Sequence, residues 1–207
     1  ELFESERVCE RGRKFEMIHL ITGGSGSGKS AFAENCVMQS GASERFYIAT
    51  MKVWGEEGRR RVEKHRKMRQ GKGFETIECE TDLNALCLRD YRKKSNHRSN
   101  SSTSVLLECM SNLTANEMFE KGGSVTEICE RILDGVQSFA EQTDYLVIVT
   151  NEIFSDGCEY DEDTVRYIDL LSEINRKLAQ ISDEVTEVVF GIPVNLKKES
   201  DKGGGSE

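Results

Sequence analysis

The sequence has only one proline, Pro193, and no apolar run near the roughly 20 residues that a membrane-spanning helix needs. We therefore expect helices that are seldom interrupted and no membrane span. Residues 1–16 lack the apolar core of a secretory signal, which favours a cytoplasmic protein.

The sequence also lacks an excess of basic residues. The 28 lysines and arginines are outnumbered by 37 aspartates and glutamates, which leaves a formal net charge of −9. This charge argues against a general nucleic-acid binder, so an anionic ligand needs a local positive site. The 7 cysteines are scattered and form no C-x-x-C pair. Their pattern argues against a zinc site or a disulfide framework and favours reduced thiols.

The length of 207 residues fits one folded domain. We expect this domain at residues 17–197, between a polar extension at 1–16 and a disordered glycine-rich tail at 198–207. Short runs rich in valine, isoleucine and leucine alternate with longer stretches of helix-forming residues. The predicted strands are 17–22, 46–50, 74–78, 104–109, 144–150 and 184–191. The predicted helices are 29–39, 55–69, 81–90, 111–120, 124–142 and 160–181, with a polar surface loop at 92–104. The alternation predicts an α/β fold with a mostly parallel central sheet flanked by helices.

One glycine-rich segment between the first predicted strand and helix fits the P-loop pattern G-x-x-x-x-G-K-[ST]. Glycines let backbone N–H groups turn inward around phosphate oxygens, and the following helix adds the positive end of its dipole. The lysine reaches the β- and γ-phosphates and the serine hydroxyl can bind Mg²⁺. The predicted nucleotide-binding residues here are Gly23, Gly24, Ser25, Gly26, Ser27, Gly28, Lys29 and Ser30.

A second carboxylate for the metal is expected at the end of a neighbouring strand. Glu108 follows the apolar run "VLL" where many P-loop proteins have aspartate. We expect it to join Ser30 at the metal, although an ordinary strand-end carboxylate would look the same. Asn151 and Glu152 follow another strand, on the side of the sheet where α/β proteins bind ligands.

The predicted helix 55–69 is strongly basic. Arg61, His65 and Arg69 are spaced i, i+4 and i+8, which places them on one helical face. An imidazole among guanidinium groups is suited to attack phosphorus and to hold the resulting anion. The spacing alone favours a solvated basic face with an incidental histidine. His19 is interpreted as a packing or surface residue, and His97 as a solvated one.

Several segments in order resemble one family. Residues 17–197 resemble the bifunctional adenosylcobinamide kinase / adenosylcobinamide-phosphate guanylyltransferase family of cobalamin biosynthesis. The matching segments are "LITGGSGSGKS", "YIAT", "RVEKHRKMR", "FETIE", "LLECMSNLTANEMF", "VIVTNEI" and "YIDLLSEINRKLAQISDEVTEVVFGIPV".

The resemblance implies a RecA-like P-loop NTPase fold, a homotrimer, and two reactions that use ATP or GTP with Mg²⁺. A nucleoside triphosphate phosphorylates adenosylcobinamide, and GTP then donates GMP to that phosphate through a histidine-bound GMP. The family's histidine matches His65, which reverses the interpretation drawn from spacing alone. The resemblance also implies nucleotide contacts for Ala49, Thr50, Met51, Arg66, Lys67, Met68, Arg69, Glu78 and Glu108.

The sequence departs from the usual family pattern in four places. Gly26 stands where the family has an arginine in its P-loop, and Gln70 replaces a proline after Arg69. Phe74 replaces a tryptophan and comes one residue later. The usual glycine-rich loop is here the acidic segment 152–165, where corrinoid contacts are expected. Two alternatives therefore stay open: a protein with one of the two activities, or a P-loop regulatory nucleotide-binding protein.

Overall fold

The computed structural model describes residues 17–53, 55–91, 102–153 and 160–198. The predicted extension 1–16, residues 92–101 of the polar loop with His97, residues 154–159 of the acidic segment and residues 199–207 of the tail lie outside the described residues. In the part described, no helix is both long and apolar enough to cross a membrane.

A sheet of seven strands forms the centre, in the order β3-β2-β4-β5-β1-β6-β7. All neighbouring pairs are parallel except β6 and β7, which are antiparallel. The prediction of a mostly parallel α/β sheet is confirmed. The strands are β1 Met17–Thr22, β2 Glu44–Ala49, β3 Phe74–Glu78, β4 Thr103–Glu108, β5 Tyr145–Val149, β6 Glu184–Val189 and β7 Ile192–Lys197.

Helices cover both faces of this sheet. Side chains alternate along the strands, so that Leu20, Ile48 and Leu107 lie in the core on one face, and Ile21 and Leu106 lie in the core on the other. This two-sided burial explains the nearly continuous aliphatic runs in the sequence. The α-helices are α1 Lys29–Gln39, α2 Gly55–Arg69, α3 Met110–Asn116, α4 Val125–Ala140 and α5 Glu162–Ile181.

Three predicted elements differ from the structure. The helix predicted at 81–90 is wrong, because this segment forms two short 3₁₀ turns, Leu83–Ala85 and Leu88–Asp90. The helix predicted at 111–120 is α-helical only as far as Asn116, where α3 ends, and a π-helical turn, Glu117–Lys121, follows it. The strand β7 was not predicted, and the predicted polar loop gives way to β4 at Thr103.

His19 on β1 is buried, with an exposed fraction of 3%. Its Nδ1 lies 2.9 Å from the Tyr145 hydroxyl and its Nε2 lies 2.8 Å from the Thr186 hydroxyl. Burial lowers the pKa of His19 below its ordinary value, although the nearby Glu184 carboxylate opposes this shift. The structure therefore confirms His19 as a packing residue, and its burial favours the neutral ring.

We expect the protein to lose stability as the pH falls through the folded-state pKa of His19. That pKa lies below the value in the unfolded chain, so the unfolded chain takes up the proton first as pH falls. The contribution is complete above the unfolded pKa and declines below it, by at most about 1.4 kcal/mol per pH unit. Urea unfolding at pH 7.5 and pH 5.5 measures the decline, and His19→Gln should show a smaller one. Equal declines in the two proteins would contradict the assignment.

Candidate active site

The glycine-rich loop joins β1 to α1, which begins at Lys29 as predicted. Gly23 has a φ of 150°, and a Cβ there would lie 2.5 Å from the Val188 carbonyl oxygen and 2.8 Å from Ser27 Oγ. Gly28 has a φ of 94° at the start of the helix. Glycine is therefore required at Gly23 by both conformation and space, and the loop turns tightly over the end of the sheet.

Lys29 is almost entirely buried, with an exposed fraction of 8%. Its Nζ donates a hydrogen bond to the Gly24 carbonyl at 3.0 Å, which folds the side chain back over the loop. Burial lowers the pKa of Lys29, while the nearby Cys109 and Glu108 raise it by a smaller amount. An anion bound in the loop would relieve this desolvated charge.

Ser30 and Glu108 meet above the ends of β1 and β4. The Ser30 hydroxyl donates to Oε1 of Glu108, and the Tyr47 hydroxyl donates to Oε2 at 3.2 Å. In the part of the chain that the structure describes, no group of three or more His, Cys, Asp or Glu side chains could hold a metal alone. A hydroxyl and a carboxylate oxygen fit Mg²⁺ whose other ligands come from phosphate and water.

A cavity of about 520 Å³ extends from this loop between the sheet edge and α2. Val62, Arg66 and Arg69 of α2 form one wall, as their spacing along a helix allows. The other lining residues are Ser25, Gly26, Ser27, Gly28, Lys29, Ser30, Ala31, Tyr47, Ala49, Met51, Val53, Thr76, Glu78, Glu80, Glu108, Cys109, Asn112 and Asn151. The volume is suited to a small-molecule ligand.

Arg69 lies at the inner end of this wall with an exposed fraction of 7%. Its guanidinium carbon is 3.4 Å from the centre of the Tyr47 ring, a cation–π contact. Within the described residues, its Nε and Nη1 are buried and have no hydrogen-bond partner. Because buried donors are costly to leave unpaired, this guanidinium can serve as a binding group for an anion in the cavity.

The remaining predicted residues on and near α2 are placed differently. Arg66 Nη2 is 2.7 Å from Oε1 of Glu78, and both side chains are largely exposed at the outer end of the cavity. Lys67 pairs with Glu63 on the solvent side of the helix. The backbones of His65 and Met68 belong to α2, but their side chains, like that of Arg61, lie outside the description.

Of the three nucleotide contacts predicted at the end of β2, Ala49 and Met51 line the cavity. Thr50 is fully buried instead. Its hydroxyl donates to the Cys109 carbonyl at 2.8 Å and accepts from the Cys109 N–H at 2.7 Å. Thr50 therefore links the end of β2 to the end of β4 and fixes the backbone that follows Glu108.

Sequence reasoning missed Tyr47, Glu80 and Asn112 as cavity residues. Strand alternation could have found Tyr47, because it lies two residues before Ala49 and so shares its face. Asn151, noted from its place after β5, lines the cavity and donates to Ser111 Oγ at 2.6 Å.

Comparison with known proteins identifies relatives along most of the chain. The chain is 30% identical over 192 residues to the bifunctional adenosylcobalamin biosynthesis protein CobU of Escherichia coli K12, covering 87% of this chain and 100% of that protein. It is 28% identical over 190 residues to CobP of Pseudomonas aeruginosa, a bifunctional adenosylcobalamin biosynthesis protein, covering 88% of this chain and 99% of that protein.

A solved ATPase from a bacterial type III secretion system superposes with a TM-score of 0.54 at 11% sequence identity. The match covers 87% of this chain and 57% of that one and concerns the fold alone. The expected P-loop NTPase fold is thereby confirmed. A profile of the cobinamide kinase / cobinamide phosphate guanyltransferase family matches residues 19–196. The chain belongs to this family of kinases and guanylyltransferases.

Proposed function

We propose that this protein phosphorylates adenosylcobinamide with ATP or GTP and then transfers GMP from GTP to the new phosphate, giving adenosylcobinamide-GDP. The observation that carries the proposal is the buried Arg69 guanidinium, unpartnered among the described residues, in the same cavity as Lys29 and Ser30. Arginine forms strong charge-assisted hydrogen bonds with phosphate oxygens, so this second buried cation can hold a phosphate group that stays in the site after pyrophosphate has left.

The guanylyl transfer proceeds by two displacements. A nitrogen of His65 attacks the α-phosphorus of GTP, the bond to the β-phosphate bridging oxygen breaks, and pyrophosphate leaves. An oxygen of adenosylcobinamide phosphate then attacks the same phosphorus and the P–N bond breaks. His65 precedes Arg69 by four residues on α2, a spacing that keeps two positions on one face.

The nucleotide contacts follow from the cavity. Lys29 neutralises the triphosphate at the inner end, and Arg69 holds the phosphate that stays behind. Ala49, Met51 and Glu78 form the wall beside the nucleoside. Mg²⁺, bound by Ser30 and Glu108, would supply charge neutralisation at the phosphates.

Two isotopic labels test the proposal with adenosylcobinamide as acceptor. Label from γ-labelled ATP should appear in adenosylcobinamide phosphate, and label from α-labelled GTP should appear in adenosylcobinamide-GDP. Transfer of the γ-label alone would leave only the kinase half. Transfer of neither label by a protein that still binds nucleotide would support the regulatory alternative instead.

We also propose that the protein is a homotrimer. Phe190, Ile192 and Leu196 on the β6–β7 hairpin have exposed fractions of 92%, 64% and 59%. Together they form an apolar surface at the sheet edge, which is typical of an interaction site.

Light scattering after gel filtration is expected to give about three times the 23.4 kDa chain mass. Phe190→Asp combined with Ile192→Lys should reduce this mass to that of one chain. Val165→Lys, at an exposed position of α5, serves as the control. A parent protein that elutes with the mass of a single chain would contradict the trimer.

A further inference from the structure

Beside the cavity lies a second charged pair that the proposed reaction does not use. Glu34 of α1 has a side chain exposed fraction of 0%, and its Oε2 lies 2.5 Å from Lys72 Nζ. Its other oxygen, Oε1, is buried without a hydrogen-bond partner among the described residues. A half-satisfied buried carboxylate is a poor source of stability, so its presence next to the site calls for another role.

Lys72 is connected to Arg69 through a backbone hydrogen bond. It lies in the turn that follows α2, where the Lys72 N–H donates to the Arg69 carbonyl at 3.0 Å. Gly71 and Gly73 on either side have positive φ values of 80° and 73°. The Lys72 carbonyl also accepts from Arg45 Nη1 at 3.3 Å. The end of α2 is thus held by a compact turn whose one side chain link to α1 is Lys72–Glu34 among the contacts described.

The helix at the other end of this link is the one that begins in the phosphate loop. Glu34 stands five residues after Lys29 on α1. The Glu34–Lys72 ion pair therefore connects α1, the helix that begins in the phosphate loop, to the turn at the end of α2, the helix that carries Arg69. Lys72 lies between Gln70 and Phe74, two positions at which this sequence departs from the usual family pattern.

The Arg69 guanidinium itself lacks such a link. Its contact in the described structure is the face of the Tyr47 ring, and a ring face fixes a height but not a direction within the plane. Backbone placement must therefore set where Nε and Nη1 point. The placement comes from the turn, and the turn is held by the buried pair.

We infer that Glu34 and Lys72 are positioning residues for nucleotide binding: their ion pair fixes the end of α2 against α1 so that the Arg69 guanidinium faces a phosphate group held by the loop. The inference rests on the proposed function only for the identity of the nucleotide. The pair touches neither nucleotide nor metal and acts through Arg69.

Glu34→Gln separates positioning from simple electrostatics. Removal of a negative charge near an anion site should tighten GTP binding if only net charge matters. Loss of the ion pair with Lys72 should weaken GTP binding, and we expect a dissociation constant about 10-fold higher. Lys72→Met should have an effect of the same direction and size, and Lys72→Arg, which keeps the charge, should stay within about 2-fold of the parent.

Titration calorimetry with GTP and Mg²⁺ on the full chain measures these constants. Arg69→Met is expected to weaken binding by about 10- to 100-fold. Lys72→Met added to Arg69→Met should weaken it by no more than about 2-fold further, because both act on one contact. Arg60→Met, which breaks the exposed pair with Glu56 on the same helix, controls for lost positive charge.

Two results would overturn the inference: tighter GTP binding by Glu34→Gln, or multiplying effects of Lys72→Met and Arg69→Met. Because Lys72→Met can impair folding, each variant is first checked by urea unfolding, and Glu34→Gln gives the same test with a nearly isosteric side chain. Binding is measured without turnover. A parent that binds GTP but transfers no GMP would therefore reject the guanylyl-transfer half of the proposed function and leave this inference intact.

Discussion

His65→Ala is expected to abolish covalent labelling of the protein by α-labelled GTP. The parent protein, incubated with this GTP and Mg²⁺, should carry label that is acid-labile and alkali-stable, as a phosphoramidate is. The variant lacks the only nitrogen nucleophile that the proposal uses, so we expect its label to fall by roughly 10³-fold or more. Denaturing gels of acid- and alkali-treated samples measure the label directly.

The matched control is His19→Gln. His19 is buried under α1 with both ring nitrogens close to hydroxyl groups, so its loss should leave the label unchanged. A further control is GTP binding by His65→Ala, which should stay within about 3-fold of the parent because Lys29 and Arg69 remain. Label that persists in His65→Ala would reject this residue as the acceptor and return the basic helix to the interpretation of a solvated face.

The sheet could be predicted because its signal is local. The strands are aliphatic runs buried on both faces, and the boundaries of β1, α1, α2 and β3 follow directly from the sequence. The strand β7 escaped prediction because every residue from Ile192 to Lys197 is exposed in the chain. Its pairing with β6 comes from the hairpin rather than from a buried pattern.

The helix predicted at 81–90 failed because distant side chains determine that segment. The Asp82 N–H donates to Oε1 of Glu117, and the Leu88 N–H donates to Oε1 of Gln142. Asp82 also adopts a left-handed conformation with φ of 54°. These tertiary hydrogen bonds outweigh helix propensity over a few residues, and no local sequence pattern predicts them.

The candidate site was likewise only partly predictable from the sequence. The approach of Ser30 to Glu108 was predictable, because a P-loop and a strand-end carboxylate converge on one edge of a parallel sheet. The stacking of Arg69 on Tyr47 and the Glu34–Lys72 pair were not. Both depend on where α2 and its turn pack against the sheet, and that placement is set by tertiary contacts rather than by spacing.

Lys29→Met is expected to weaken GTP binding by about 10- to 100-fold and to slow both transfers by about 10³-fold. The Lys29 ammonium provides the buried positive charge inside the phosphate loop, at 3.0 Å from the Gly24 carbonyl. Methionine has similar length and flexibility but brings no charge to the phosphates. Calorimetry and the two label-transfer assays measure the two effects separately.

The same change should leave the empty protein as stable as the parent or slightly more stable. Burial lowers the pKa of Lys29, which means that the folded chain without ligand holds a charge at a cost in free energy. An apolar side chain removes this cost, so the urea midpoint should be equal or higher while activity is lost. Lys29→Arg should not restore transfer, since a planar guanidinium cannot take the place of a compact ammonium in the loop. A large fall in stability would instead assign Lys29 a structural role and contradict its assignment as the phosphate-binding charge.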